Sequence, residues 1–382
     1  MSGSDSQELS AWLRLRLTPG VGDTSARKLL AALGLPSQVF AQPASVLRQV
    51  VSATQADALQ VLPQGFEVHW ALTQSWLAQS EQHQIMTLAD PGYPQVLLET
   101  ADPPLLLYLL GNTDLLAHPQ RLAVVGSRNP TPQGAQNAHD FAQALASAGV
   151  CVVSGMALGV DGAAHTGALD AGGPTIAVVG TGLDRVYPSR HRALAHRIAQ
   201  QGLVVSEFVL GTSPTAANFP KRNRIIAGLS QGTLVVEAAL ASGSLITARL
   251  AVDMGREVFA IPGSIHATQS KGCHALIRQG AKLVESAHDV MEDLRFLAPA
   301  ERLPAGSNAG ADATESQLLP TGVSAEHVPL WHAMGHELVG LDALQARTGW
   351  PTAQLQACLL ELELDGLVVR APGGLFQRVV RA

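Results

Sequence analysis

The hydrophobic pattern of residues 121–295 alternates between short apolar runs and longer amphipathic segments. Ala- and Leu-rich segments of helical length, such as 134–148 and 247–254, separate most of the runs. Continuous apolar strands separated by helices are typical of a parallel sheet that is covered on both faces. The pattern predicts an α/β fold, an extended Rossmann-like, doubly wound and mainly parallel sheet. Its seven predicted strands are 122–125, 150–153, 175–179, 203–206, 233–237, 257–261 and 282–284.

The chain before this region has a helical pattern. Residues 18–23 form a Gly-x-Gly turn between two helical runs. In one interpretation this is a helix-hairpin-helix, whose turn amides contact a phosphate. In the other, the glycines only allow two helices to fold back on each other. We predict an all-α domain of the helix-hairpin-helix or SAM-like type over residues 1–75, and expect the Pro-rich apolar stretch 102–110 to pack against the central sheet.

The C-terminal part has a different pattern. Residues 299–324 are rich in Pro, Gly, Ala and Ser without apolar periodicity, which is typical of a flexible linker. Helices are predicted at 326–334 and 341–348, and a third runs to residue 364 with Thr352 as its N-cap. A β-hairpin follows around 372–374, so three helices and a hairpin predict a winged helix. The predicted division is 1–75 helical domain, 76–298 Rossmann-like DNA-binding domain, 299–324 linker and 325–382 winged-helix domain.

The distribution of charge matters more than its total. The chain has 25 Lys and Arg against 31 Asp and Glu, a net charge of −6, which by itself argues against nucleic acid as a partner. Residues 121–298, however, hold fifteen basic and twelve acidic groups, a net charge of +3. The flanking segments are neutral or acidic. An anion-binding site is therefore expected in the middle of the chain.

The remaining composition excludes several classes of protein. Three widely spaced cysteines, Cys151, Cys273 and Cys358, predict neither a disulfide framework nor a zinc site. The N-terminal residues lack the basic and apolar regions of a signal peptide, and no apolar run approaches the ~20 residues that span a bilayer. We expect a cytoplasmic protein without a membrane segment, a metal or another cofactor.

The first candidate motif follows the first predicted strand. Gly126 allows the backbone to approach a phosphate there, Ser127 follows it, and Arg128 adds a cation. The chain has neither the G-x-G-x-x-G fingerprint of dinucleotide-binding folds nor a G-x-x-x-x-G-K-[ST] loop. Binding of NAD or FAD and ATP hydrolysis by a P-loop are therefore not supported.

A second motif occupies residues 154–161, after the second strand. Small residues, including Gly155, are expected to line a crevice there. Asp161 either caps the following helix or holds a neighbouring Arg. His165 is expected to pack inside that helix rather than to act as a general base, because no Ser or Cys nucleophile is paired with it.

The third motif, Asn-Phe-Pro-Lys-Arg-Asn-Arg at 218–224, carries three cations in four positions at the start of a predicted helix. Helix N-termini prefer acids, so this placement costs stability unless an anion occupies the site. Together with Arg128 the cations provide phosphate contacts, and Phe219 provides a stacking face for a base. Hydroxyls of segment 242–247, which opens another helix, complete the expected pocket.

These motifs together resemble the DNA-processing protein A (DprA, also Smf) family over residues 121–295, and the flanking helical and winged-helix parts agree with it. The resemblance implies a protein that is not an enzyme. Members bind single-stranded DNA without sequence specificity, protect incoming DNA, dimerise, and load RecA during natural transformation and recombination while SSB is displaced. The resemblance places the single-strand site on Ser127, Arg128, Phe219, Lys221, Arg222, Asn223 and Arg224. From the motifs themselves we expect the pocket to be lined by Gly126, Gly155, Asp161, Ser244 and Thr247.

Two alternatives come from other classes. Residues 232–237, a Gly-Thr pair before a strand that ends at Glu237, are similar to the nucleoside-monophosphate phosphoribohydrolases. The Pro-Gly-Gly of that family's loop is replaced here by Leu-Ser-Gln at 229–231, so we expect Glu237 to make a structural hydrogen bond. A sequence-specific regulator would instead read DNA with segment 352–364. This segment has Glu361 and Glu363 but no Lys or Arg, so we expect the winged helix to contact protein, either a partner or the other subunit, and not to read DNA.

Overall fold

A mainly parallel nine-stranded sheet forms the centre of the protein. The computed structural model describes residues 3–296, 324, 326–335, 339–371 and 374–379. The strands are β1 (His83–Thr87), β2 (Leu106–Gly111), β3 (Arg121–Val125), β4 (Cys151–Ser154), β5 (Thr175–Val178), β6 (Leu203–Ser206), β7 (Gly232–Val235), β8 (Glu257–Ala260) and β9 (Lys282–Leu283). Their order in space is β1-β2-β6-β5-β4-β3-β7-β8-β9. Strands β3 to β9 pair in parallel, whereas β2 pairs antiparallel with both β1 and β6.

Helices cover both faces of this sheet, which gives a Rossmann-like α/β/α arrangement. They are α7 (Gln95–Leu98), α8 (Pro132–Ser147), α9 (Val160–Asp170), α10 (Arg192–Gln201), α11 (Asn218–Leu229), α12 (Ser244–Asp253), α13 (Lys271–Arg278) and α14 (Ala287–Asp293), with 3₁₀ turns at Thr113–Ala117, Ser189–His191 and Thr268–Ser270. Helices α11, α12 and α13 share one apolar core with the sheet, and α8, α9 and α14 share the other. The predicted fold class is confirmed.

The seven predicted strands agree with β3 to β9 to within two residues at each end. The expectation for residues 102–110 was wrong, because most of this stretch is part of the sheet and does not pack against it. It contributes strand β2, in which Leu107 and Leu109 are fully buried. Its partners β1 and β6 lie far from each other in sequence, so local periodicity cannot indicate the pairing.

The N-terminal part is helical, and its core is shared with the sheet. The helices are α1 (Gly3–Leu17), α2 (Asp23–Leu33), α3 (Pro36–Phe40), α4 (Ala44–Leu47), α5 (Ala53–Leu59) and α6 (Phe66–Ala78). The predicted domain boundary at residue 75 falls inside α6. Leu105 and Leu106, where β2 begins, belong to the apolar core of these helices. The N-terminal helices therefore pack directly onto the sheet domain.

The Gly-x-Gly turn between α1 and α2 favours the simpler of its two interpretations. Helix α2 begins at Asp23, so a carboxylate already lies at its amide end. That carboxylate is 3.9 Å from Arg16 Nη1 and 3.9 Å from Arg224 Nη2. A negative charge in this position opposes phosphate binding. The turn is thus suited to fold two helices together.

The C-terminal elements form a winged helix, as predicted. They are α15 (Val328–Met334), β10 (Val339–Gly340), α16 (Leu341–Thr348), α17 (Thr352–Leu364), β11 (Val368–Ala371) and β12 (Leu375–Arg378), and the strands form an antiparallel sheet in the order β10-β12-β11. The N-cap prediction was wrong: Pro351 is the N-cap of α17, and Thr352 is its first residue. Residues 372 and 373 of the hairpin lie outside the described residues, as does the predicted linker 299–324 apart from Ser324. Within the described parts of the chain, every helix is too short or too polar to cross a bilayer.

Candidate nucleic-acid interface

A crevice opens where the strand order reverses. From β3 the chain proceeds to β4 on one side, whereas β7 pairs with β3 on the other, so the loops after β3 and β7 diverge. Ligands of doubly wound sheets bind at such switch points, at the carboxyl ends of the strands. A cavity of about 700 Å³ lies here. Its lining includes Gly126, Ser127, Arg128, Asp161, Tyr187, Phe219, Arg222, Asn223, Ser244 and Thr247.

Backbone contacts join the loops that form this crevice. The Ser127 amide donates to the Glu237 carbonyl at 2.7 Å, and the Val160 amide donates to the Ser127 carbonyl at 3.1 Å. A Cβ on Gly126 would lie 2.7 Å from Val160 Cγ2 and 2.9 Å from the Glu237 carbonyl oxygen. Gly126 is therefore required for the close approach of the β3 loop to the β7 loop and to the start of α9.

Two aromatic rings and a cation form one wall of the cavity. The Arg128 guanidinium lies 5.2 Å from the centroid of the Phe219 ring, and the Tyr187 and Phe219 rings are 5.6 Å apart at 33°. Arg128 is exposed, and Tyr187 retains 46% of its accessible surface. Such a surface can stack a base on the rings while the guanidinium meets a phosphate.

Arg222 forms the buried end of the cavity. Its guanidinium donates to the Val178 carbonyl and lies 3.8 Å from Asp161 Oδ2. Burial lowers the pKa of Arg222, and the Asp161 carboxylate acts in the opposite direction. A Cβ on Gly155 would lie 1.8 Å from Arg222 Nη1, so the role of this glycine is to leave room for the guanidinium.

Helix α11 presents the positive charge of Lys221 in its first turn without a compensating acid. Its N-cap, Ala217, offers no side-chain hydrogen bond, and its first turn contains no Asp or Glu. Lys221 is exposed and makes no hydrogen bond or ion pair within the described residues, although its side chain is not part of the cavity lining. Asn223 is half-buried and lines the cavity. A helix N-terminus with these properties favours an anion.

The structure does not bring Arg224 to the cavity. Its guanidinium pairs with Glu207, lies 3.4 Å from Asp102 Oδ2 and 3.9 Å from Asp23 Oδ2. Only 14% of this side chain is exposed. We therefore correct the expected set of phosphate contacts by omitting Arg224, which instead joins α11 to the N-terminal helices. The sequence cannot show this difference, because all three cations of the motif look equally suited to contact a phosphate.

Three further expectations concern polar residues near the crevice. Asp161 does not cap α9, whose N-cap is Gly159; it accepts from the Ala157 amide at 3.1 Å and pairs with Arg222. His165 is fully buried and bonded to Thr175 Oγ1 at 2.7 Å, as expected of a packing residue. Glu237 makes the expected structural hydrogen bonds, accepting from the Thr131 amide at 2.9 Å and from Thr131 Oγ1 at 2.6 Å.

Sequence reasoning missed Tyr187 and Glu207. Both follow parallel strands, Tyr187 after β5 and Glu207 directly after β6, and this position at the carboxyl edge was the available signal. The described residues contain no cluster of three or more His, Cys, Asp or Glu side chains that could hold a metal ion. Burial raises the pKa values of Cys151 and Cys273 to about 12, so neither thiol is reactive near neutral pH.

In this chain a Rossmann-like sheet, with a cationic and aromatic crevice at its switch point, is followed by a winged helix. A family model of the DNA recombination-mediator protein A matches residues 84–295, and a model of the DprA winged helix domain matches residues 310–374. The chain belongs to the DprA/Smf family.

Individual relatives support this assignment. Protein Smf of Escherichia coli (strain K12) is 43% identical over 311 residues, which cover 80% of this chain and 80% of the relative. The X-ray structure of DprA from Streptococcus pneumoniae is 38% identical with a TM-score of 0.60, and covers 75% of this chain and 97% of its own. The DprA structure from Helicobacter pylori, described for its single-stranded DNA binding mode, is 34% identical with a TM-score of 0.51, over 56% of this chain and 96% of its own.

Proposed function

We propose that this protein binds single-stranded DNA in the crevice between the β3 and β7 loops, without sequence specificity. The observation that carries the proposal is the exposed Arg128 over Phe219, next to Tyr187 and the uncapped, cationic start of α11. The H. pylori relative, whose structure is described for its single-stranded DNA binding, supports the choice of ligand. The binding residues are Ser127, Arg128, Phe219, Lys221, Arg222 and Asn223.

Charge and shape define what this crevice accepts. Phosphates meet the cations Arg128 and Lys221 and the amides of the β3 loop, and bases stack on the aromatic wall. None of these contacts depends on base identity. A duplex keeps its bases stacked inside and cannot offer them to Tyr187 and Phe219, so single strands are preferred. With about two phosphates neutralised per protomer, by Arg128 and Lys221, the logarithm of affinity falls with the logarithm of salt concentration at a slope of roughly −1.4.

A mobility-shift assay with single- and double-stranded oligonucleotides tests the proposal. Lys221→Glu and Arg128→Glu are expected to abolish the single-strand shift without changing thermal stability, since both side chains are exposed. Arg278→Glu is the matched control. Arg278 ends α13 shortly before β9 begins, near the amino ends of the parallel strands, whereas the crevice lies at their carboxyl ends. Equal affinity for duplex and single strand, or wild-type binding by both crevice variants, would contradict the proposal.

Family membership supports a wider role. The protein protects incoming DNA and loads RecA onto it during natural transformation and recombination, acts as a homodimer, and works against bound SSB. The test is RecA filament formation on SSB-covered single strands. Wild-type protein should shorten the lag, and Lys221→Glu should not. An unchanged lag with protein that binds DNA normally would separate DNA binding from RecA loading and contradict the loading role.

The same proposal holds that the protein is not an enzyme. A phosphoribohydrolase needs an available carboxylate in this crevice, and both Glu237 oxygens accept hydrogen bonds from Thr131. Burial raises the pKa of Glu237, and the bonds from Thr131 oppose the shift. Incubation with nucleoside monophosphates is expected to release no free base; measurable release would restore the enzymatic alternative.

A further inference from the structure

The exposed side of α17 carries an apolar stripe that the proposed DNA-binding role does not use. Ala353, Ala357, Leu360 and Leu364 succeed one another at intervals of four, three and four residues. At 3.6 residues per turn, these intervals keep all four side chains on one face. All four residues are exposed, Leu360 by 57% and Leu364 by 79%.

This stripe is separate from the face that holds α17 in its domain. The buried leucines of α17 are Leu355, Leu359 and Leu362, which belong to the winged-helix core. A helix that is apolar on two opposite sides is suited to contact a second element. The four-three-four spacing is that of the apolar positions of a heptad, which pack against another helix.

We propose that the occupant of this face is the same helix of a second copy of the chain, in antiparallel orientation. In that register Ala353 faces Leu364 of the second copy, and Ala357 faces its Leu360. Every layer then contains one small and one large side chain, so the two helices stay at a constant separation. A parallel pair would place alanine on alanine at one end and leucine on leucine at the other, which would make the helices diverge.

The polar residues beside the stripe agree with self-association. One flank carries Gln354 and Glu361, and the other carries Gln356 and Glu363. In an antiparallel pair like flanks meet, so each Glu faces a Gln, whose amide can donate to the carboxylate. Glu361 also pairs with His327 Nε2 at 2.9 Å. Nucleic acid does not fit this face, because α17 has no Lys or Arg.

The length of the stripe sets the strength of the contact. Its four layers span about 16 Å at 1.5 Å per residue. A contact of this length buries less surface area than a standard protein interface. Pairing is therefore weak between free chains and gains strength when two chains are already held together. The contact does not involve the crevice, so it is independent of DNA binding. Because pairing between free chains is weak, trapping by a disulfide is the suitable measurement.

The test uses the full-length chain with Cys358→Ser as background, since the other two thiols, Cys151 and Cys273, are buried. Ala353→Cys and Leu364→Cys are made in separate chains and then mixed under mild oxidation. In the proposed register these positions face each other, within the ~7 Å between Cα atoms that a disulfide allows. Two copies of position 353 lie about 16 Å apart along the pair. The mixture should therefore form cross-linked dimers, and each variant alone should not.

Two matched variants sharpen the result. Thr352→Cys in place of Ala353→Cys moves the thiol about 100° around the helix and should cross-link at least fivefold less. Leu360→Glu places a charge in the stripe and should reduce cross-linking of the mixed pair by a similar factor, with unchanged thermal stability. Cross-linking of each single variant as readily as the mixture would overturn the antiparallel arrangement. Absence of cross-links in every mixture would show that α17 does not pair with itself and would overturn the proposal.

Discussion

Arg224 on α11 donates a hydrogen bond to the buried carboxylate of Glu207, which directly follows β6. The same guanidinium also pairs with Asp102 and Asp23, whereas Arg222, two residues earlier, lies at the end of the cavity. One helix therefore uses one cation to hold its position and another to shape the binding site. This division of roles leads to separate predictions for the two residues.

Loss of Arg224 should destabilise the fold and leave the salt dependence of DNA binding unchanged. Arg224→Gln leaves Glu207 buried at 4% exposure without its cation, a change that costs about 3 kcal/mol. Denaturant unfolding measures this loss, and the double variant Arg224→Gln/Glu207→Gln should recover much of it because no buried charge remains. A reduced salt slope in Arg224→Gln with wild-type stability would show that Arg224 contacts phosphate after all.

Arg128→Gln should have the opposite signature. The side chain is exposed, so we expect wild-type unfolding. Removal of one phosphate contact should weaken binding and make the salt slope shallower by ~0.7. Fluorescence anisotropy of a labelled single strand across a salt series gives the slope. A parallel displacement of the line, with no change in slope, would indicate that Arg128 acts through Phe219 alone.

Gly155→Ala should impair binding through Arg222. The added methyl group would lie 1.8 Å from Nη1 and must displace the guanidinium from its bond to the Val178 carbonyl. Gly243→Ala is the matched control: Gly243 also lines the cavity, its φ is −63°, and its added Cβ would meet nothing within 4 Å. Affinity should fall several-fold in the first variant and stay unchanged in the second. Equal losses would refute the packing argument.

The aromatic wall should contribute through ring area. Base stacking is worth ~1–3 kcal/mol per base, so Phe219→Ala and Tyr187→Ala should each lower affinity by about fivefold to 150-fold. Tyr187→Phe keeps the ring and should bind like wild type. An abasic oligonucleotide should lose affinity for wild type and show little further loss with Tyr187→Ala. If Tyr187→Phe is as weak as Tyr187→Ala, the hydroxyl rather than the ring is the binding group.

His165 should make the fold sensitive to acid. Burial lowers its pKa from 6.5 to about 3, with His191 and Arg222 adding to the shift. Between these values the unfolded chain binds a proton that the folded chain excludes, so stability falls as pH drops through this window, by up to ~1.4 kcal/mol per unit. His165→Gln should flatten that part of the profile relative to wild type, as followed by denaturant unfolding at each pH. Identical slopes would show that other groups dominate.

The fold was largely predictable from local pattern, because buried parallel strands form continuous apolar runs. Strands β3 to β9 are of this kind. The three helices of the winged helix were also predicted from local pattern. Strand β2 was not predictable as a strand, since its leucines would equally suit packing against the sheet and one of its partners, β6, is remote in sequence. The boundary predicted at residue 75 falls inside α6, and Leu105 and Leu106 complete the core of helices whose own sequence looks self-contained.

The candidate site could be predicted to within a loop from the amino-acid sequence, since glycines, cations and Phe219 concentrate where strands are predicted to end. It could not assign the three cations at 221–224, because direction around a helix and the distance to remote carboxylates decide what each guanidinium meets. In the folded chain, Arg222 meets Asp161, Arg224 is turned towards Glu207, and Tyr187 lies beside Phe219. Composition and spacing determine which groups are present, and three-dimensional packing determines which of them remain free to bind.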